Sequence, residues 1–322
     1  MCGGFAVAAR GAHHDAQLRP RENFLMRARA LAALAARATG FTTCDPALRT
    51  GLHPLVVPLA ASTCGKILGL LHWPGQEGGP SVVRTQRQDG NPEKHAATLM
   101  LQPCGTPAQY ARRLAVEADL AADSTSAEII AAAAEATTEA GGVPYGAGEL
   151  AASKMQVPHF LLTRVGPFTD VWEGIVTNQL AKGDQTAALI ACERATALNP
   201  GWGCCAYMHS TLMGSLGRTD EQRDLALSAL EAPFWTLGVP MADVMAAAQL
   251  SHVDDLRGLV RAMEDKVRAQ QNMPPRTEEE LALLRAMDAL DEVVRTEGLW
   301  DDARDTVAAA LREARVPHET LQ

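Results

Sequence analysis

The sequence predicts a mainly α protein, in which an array of α-hairpins follows a small α+β domain with an antiparallel sheet of about four strands. Three observations carry this. Hydrophobic residues make up 47% of the chain but aromatics only 4%, and alanine and leucine dominate; that favours helices packed closely through small side chains over a β-sandwich. Apolar runs of strand length recur between Leu55 and Pro103, separated by glycine, proline, Asp-Gly and Asn-Pro steps. From Thr106 onward the apolar residues recur at helical spacing, and Gly183 and Gly217 stand 34 residues apart.

The elements follow in chain order. The first forty residues hold six arginines against Asp15 and Glu22, and "ENFLMRARALAALAARATG" reads as an Arg-studded amphipathic helix. Two readings stand for it: an organellar presequence over residues 1–40, or a first helix that packs on the sheet. Next come "PLVVPLA", "KILGLLHW", "PSVVRTQRQ" and "ATLMLQP", whose connections are too short for helical crossovers and so imply antiparallel pairing. The apolar stretch Leu52 to Trp73 has the length of a membrane span, but its two prolines, Lys66, two histidines and central "STCGK" exclude one. It predicts two buried strands joined by a turn. Thr106 is a natural N-cap with Pro107 at the first helical position, and "STSAEIIAAAAEATTEAGG" predicts a second helix that stops at Gly141-Gly142. Glycines and prolines then interrupt residues 142–168. The expected division is therefore the Arg-rich segment 1–40, an α+β domain 41–141, a linker or hinge 142–168 and a helical array 169–317.

The array carries an internal repeat. Trp172 precedes Gly183 by eleven residues, Ala188 follows it by five, Ala195 by twelve and Pro200 by seventeen; Ser210, Gly217 and Ala229 repeat part of this register, with Gln222 where Ala188 stood. A large residue on the first helix fits the crevice left by alanines on the second, glycine reverses the chain and proline stops the second helix. These residues resemble the tetratricopeptide repeat, with Val176 in place of its small glycine. A third unit in the same register places Ser251 at the turn with Leu256, Val260 and Met263 inward, and a fourth has a Thr277/Glu280 capping box, Gly298 at the turn and Ala303, Val307 and Ala310 on its second helix. The resemblance spans Thr169 to Pro317 and implies an architecture, two clear units and two degenerate ones, rather than a particular activity.

Charge and chemistry narrow the function. Net charge is −9, divided into +5 for residues 1–105 (11 Lys+Arg, 6 Asp+Glu) and −14 for 106–322 (18 against 32). Such an acidic half repels phosphates, so no nucleic-acid partner is expected, RNA included. The seven cysteines are odd in number, scattered and without a CxxC pair, which argues for a reducing compartment and against zinc or thioredoxin chemistry. Cys204-Cys205 falls in the first turn of a helix, where a lowered thiol pKa is conceivable, but small thiols also suit tight helix packing, and packing is the expectation. "STCGK" lacks the glycine and hydroxyl of a phosphate loop, and GxGxxG, GxSxG and HExxH are absent. "TEEE" and "DALDE" lie at helical spacing and read as solvated faces. No catalytic residue, cofactor or metal is expected.

What remains is a groove. In tetratricopeptide proteins the first helix of each unit builds the concave face, and the register projects Asp170, Glu173, Thr177 and Leu180 from the first unit and Cys204, Tyr207, Thr211 and Ser215 from the second onto it. The chaperone-binding members use a Lys/Asn clamp where Glu173 and Thr177 stand, which argues against capture of chaperone tails and for a basic or neutral partner surface. The functional expectation is a non-enzymatic interaction or scaffold subunit with protein partners in a larger assembly, in a mitochondrial or other organellar interior, the cytoplasm being the alternative. The rival is an enzyme with a site in the 52–103 sheet region and the helical array as a regulatory or oligomerising appendage, which requires a convergent pocket containing His53, Cys64, Lys66 or His72.

Overall fold

A computed structural model describes residues 28–74, 79–89, 95–251, 258, 261, 265, 266 and 268–316. The chain is mostly helical, with a five-stranded antiparallel sheet in its N-terminal part followed by helical hairpins. Helix α1 (28–39) turns Ala28, Leu31, Ala32, Leu34 and Ala35 into the core, the i, i+3, i+4, i+7 spacing of a buried face. The second part of the Arg-rich segment is thus a packed helix. Residues 1–27, the rest of the expected presequence, lie outside the described residues.

Strands β1 (Thr42–Thr43), β2 (Val56–Ala61), β3 (Lys66–Leu71), β4 (Ser81–Gln86) and β5 (Gln102–Pro103) pair in chain order, antiparallel throughout. The run Leu52 to Trp73 is the β2–β3 hairpin. β1, two residues long, carries no sequence signal. The expected strand over "ATLMLQP" shrinks to Gln102–Pro103: His95–Thr98 makes a helical turn (α2), and Leu101 N donates to Trp235 O at 2.9 Å instead of to a neighbouring strand. Pro58 offers no N–H, and pairing shifts there: Pro58 faces Gly69, Ala60 faces Leu68, and Leu59 bulges. Gly69 is needed at this spot, because a Cβ would sit 2.5 Å from Val56 Cγ1 and 3.0 Å from Val57 O.

Both faces of the sheet are covered. Val57, Leu59, Leu68, Leu70 and Val82 share a core with α1, α3 (Pro107–Ala121) and α4 (Ser126–Glu139), the last packed on α3. Helix α3 opens with a full capping box between Thr106 and Gln109. On the opposite face Leu55, Val56, Leu71, Val83 and Leu101 share a core with Trp235, Leu290, Trp300 and Leu311. Segment 142–168 holds α5 (Glu149–Ser153) and α6 (Val157–Phe160), the latter running into a π-turn at Leu161–Val165, and it is tied to α3: Tyr145 Oη donates to Asp119 Oδ2 at 2.6 Å, and Arg112 to Glu149 at 2.7 Å.

Helices α7 (Thr169–Ala181), α8 (Gln185–Leu198), α9 (Gly203–Ser215) and α10 (Thr219–Glu231) form two consecutive hairpins. Trp172, Val176, Ala188, Cys192, Ala195, Cys205 and Leu212 make their shared core, so Cys192 and Cys205 are packing residues. Gly183 (φ +77°) and Gly217 (φ +73°) take the left-handed conformation that reverses the chain. The second unit accepts Gln222 through a paired change: Gly214, at the position of Leu180 in the first unit, would place a Cβ 2.6 Å from the Gln222 amide. After a 3₁₀ turn (Phe234–Thr236) and α11 (Met241–Ala247) the chain closes with α12 (Glu278–Arg295) and α13 (Trp300–Glu313). Leu256, Val260 and Met263, the inward residues expected of a third unit, lie outside the described residues. Thr277 and Glu280 form the expected capping box, and Ala303, Val307 and Ala310 are buried. The turn between α12 and α13 differs from expectation in one respect: Glu297 (φ +50°), not Gly298, takes the left-handed position.

Candidate functional site

Helices α7 and α9 lie side by side as the first helices of their hairpins, and they open a cavity of about 530 Å³. All eight residues projected by the repeat register line it: Asp170, Glu173, Thr177 and Leu180 from α7, and Cys204, Tyr207, Thr211 and Ser215 from α9. A 34-residue period leaves the same helix face toward the cavity in each unit, while Trp172 turns to the hairpin core and Val176, Cys205 and Leu212 reach both that core and the cavity. α9 reaches its place through Gly203, where a Cβ would meet Ala229 O at 2.9 Å, and Gly203 N donates to Thr236 Oγ1 at 3.1 Å.

The far wall comes from elsewhere. Arg84 of β4, Gln102 and Pro103 of β5, Cys104, and Leu237 to Val239 close the cavity, so the groove lies between the helical hairpins and the edge of the sheet. None of these follows from a repeat period, and sequence reasoning missed them. The signal was indirect: a lone charged residue in an otherwise uncharged strand, "SVVRTQ". A second cavity of about 600 Å³ lies over the sheet, between Lys66, Leu68, Arg84 and Gln86 on the strands and Tyr110, Arg113 and Leu114 on α3. Arg84, Gln102, Gly238 and Val239 line both cavities.

Charge at the junction is tightly arranged. Arg113 donates from both terminal nitrogens to Asp170, at 2.8 and 2.7 Å, and from Nε to Glu117 at 2.8 Å, with its guanidinium 4.8 Å from the Phe168 ring centroid. Burial works against the Arg113 charge, but its bonds to Asp170 and Glu117 outweigh that and raise its pKa. Asp170 is likewise held below the ordinary carboxylate range: burial opposes the shift, and the Arg113 bonds decide it, assisted by the positive field of Arg84. Asp170 is therefore a structural tie between α3 and α7 as well as a groove residue. Burial pushes the Cys104 thiol up to about 11, which leaves it protonated and inert at neutral pH. The Cys205 thiol, hydrogen-bonded to Cys204 and buried, is raised far above its ordinary value, and the same bond lowers Cys204.

The residues of the rival site do not come together. Cys64 and Lys66 stand at the β2–β3 turn; His53 and His72 stand at the opposite end of the hairpin, and the six residues from Lys66 to His72 span roughly 20 Å of strand. His53 is fully buried, edge-on to Trp235 (centroids 4.8 Å) and Trp300 (4.6 Å), and burial and then the charge of Arg304 lower its pKa to about 3. It is a neutral packing residue. The acidic clusters also resolve into structure: Glu280 caps α12, Asp288 pairs with Arg261, and Glu292 with Arg295 at 2.6 Å. Asp291 departs from the solvated-face expectation: it is buried, and its Oδ1 accepts from Phe234 N at 2.7 Å. Among the described residues no group of three or more His, Cys, Asp or Glu is placed to hold a metal ion, and no helix is long and apolar enough to cross a membrane.

Comparison with known proteins gives two family matches. Residues 20–164 match the family described as PAB N-terminal, and residues 169–254 match the PAB middle domain. The chain is 28% identical over 284 residues to the Arabidopsis thaliana Protein IN CHLOROPLAST ATPASE BIOGENESIS, chloroplastic, a match that covers 87% of this chain and 80% of that protein. No solved structure matches.

Proposed function

We propose that the chain is a non-enzymatic assembly factor that works inside an organelle and holds a protein client in the groove between α7, α9 and the sheet edge. The observation that carries this reading is the groove itself: eight first-helix residues from two units line one cavity, as a tetratricopeptide-like array uses them for protein contact. The name of the Arabidopsis relative supports an assembly role in an organelle and points to an ATPase as the complex served. It supports an organelle in general and gives no support to the mitochondrion in particular. In this reading residues 41–141 form the sheet unit, 142–168 the joint and 169–317 the tetratricopeptide-like array, with no cofactor and no nucleic-acid partner.

The test is co-purification of the full chain from organelle extracts followed by native mass spectrometry. A subunit of an ATPase should be retained by the unaltered chain and lost from Thr211→Arg, which fills the groove from an exposed position. Recovery of the chain free of any assembly subunit, or equal retention by Thr211→Arg, would overturn the proposal.

A further inference from the structure

We propose that the client enters as an extended segment in which an acidic side chain, flanked by apolar residues, is met by Arg84. This rests on the reading of the groove as a client site and names what that site selects. Three observations lead to it. The Arg84 side chain is half-buried and makes no hydrogen bond or ion pair among the described residues, whereas its charged neighbours Arg113, Asp170 and Glu117 are bonded to one another. A guanidinium has five N–H donors in a planar fork that fits a carboxylate, and one taken partly out of water gains most from a partner that supplies both acceptors.

Position gives the second observation. Arg84 lines both cavities, and it does so with Gln102, whose side-chain amide likewise has no hydrogen bond among the described residues. A segment that crosses from the helical groove onto the sheet passes these two side chains. Third, the ground on either side is apolar: Met208 and Leu212 line the helical cavity, and Phe41 and Leu68 the sheet-side one, where Lys66 adds a second cation with no ion pair among the described residues. Glu173, unpaired among the described residues, stands on the helical side. It repels a run of acids, so the pattern selected is a single acid between apolar residues and not an acidic tail. The repeat register alone, with its acids and hydroxyls, favours a basic or neutral partner; in the folded groove Asp170 is already paired with Arg113, and Arg84 adds a positive charge that lies outside the repeat.

The experiment uses the full chain and fluorescein-labelled ten-residue peptide mixtures with one central position fixed as Glu, Gln or Lys between apolar-rich flanks, read by fluorescence anisotropy. The Glu-fixed mixture should bind about tenfold more tightly than the Gln-fixed one; Arg84→Gln should erase that difference and Arg84→Glu should turn the preference toward Lys. If either variant loses its cooperative melting transition, the unaltered chain decides: a Glu-over-Gln preference that vanishes in about 0.5 M salt supports the proposal, and equal affinity overturns it. Binding without acid preference that Thr211→Arg abolishes overturns the role of Arg84 and leaves the groove as the client site. A preference that survives Arg84→Gln also overturns it. Absence of binding by every mixture overturns both readings, and an Arg84-dependent thermal shift with inorganic phosphate in that case would mark a small-anion site instead.

Discussion

The α7–α10 hairpins and the closing α12–α13 hairpin are built from similar local rules and end in opposite roles. In both, alanines on the second helix admit a neighbour, at Ala188 and Ala195 in one and at Ala303 and Ala310 in the other. The closing hairpin turns Leu290, Val294, Trp300 and Val307 onto the sheet and shares a core with it, and Gly51 N donates to Asp301 Oδ2 across the seam at 3.0 Å. The α7–α8 hairpin and one face of α9 keep a small core of their own, Ala206 and α10 join the sheet-side core, and the face with Tyr207 and Thr211 stays open. Where a hairpin finds a sheet to cover it becomes scaffold, and where it is held off the sheet it leaves a groove. Arg113 and its two carboxylates stand at the boundary between the two outcomes.

The comparison can be broken most severely at Trp300. It is fully buried, and Trp300→Ala should cost about 3–5 kcal/mol in urea unfolding; a loss below about 1 kcal/mol would mean that the closing hairpin is not integral to the sheet core. Acid should weaken the same seam. His53 is held neutral with a pKa of about 3, while the unfolded chain takes up its proton near 6.5. The His53 contribution is therefore complete above pH 6.5 and is lost on acidification toward pH 3, at up to about 1.4 kcal/mol per pH unit. Denaturation midpoints from pH 7 to pH 5 should show a slope that His53→Leu reduces.

At the boundary, Arg113→Ala removes a bidentate pair whose arginine side chain is only 11% exposed but whose Asp170 is 45% exposed, so the cost should be about 2 kcal/mol. Hydrogen exchange should then rise in α7 and stay unchanged in α12. Glu297→Gly relieves a left-handed non-glycine and should stabilise by about 1 kcal/mol, read as a raised melting temperature. In the groove, Thr177→Ala and Thr211→Ala should change stability by less than about 0.5 kcal/mol, because both side chains are exposed. A large effect there would mean that this face carries the fold.

What could be read from the sequence was local or periodic. Thr106 and Thr277 announce their helices because a cap needs only the next three residues, and the eight groove positions follow from one period. What escaped was set by tertiary pairing. β1 is two residues held by β2, Asp291 is buried because a 3₁₀ turn from another segment presents an N–H to it, and Arg84 belongs to the groove only because the sheet edge lies beside α9. Gln222, the departure from the alanine of the first unit, fits because Gly214 on the facing helix has no side chain to meet it.

Gln88 has a consequence for how the molecule is made. Its Nε2 donates to Gly298 O at 3.0 Å, and its Oε1 accepts from Trp300 N at 2.9 Å, so a residue just past β4 receives its partners 210 and 212 positions later. A chain leaving the ribosome has therefore translated β2, β3 and β4 long before the last of the cover on their second face exists. Trp235 and Leu237 come first, and until α13 emerges the core that holds Val56, Leu71 and Val83 lacks Trp300, Val307 and Leu311. The protein read here as an aid to the assembly of others passes its own synthesis with an incompletely covered apolar sheet, the condition in which a newborn chain most needs a holding chaperone.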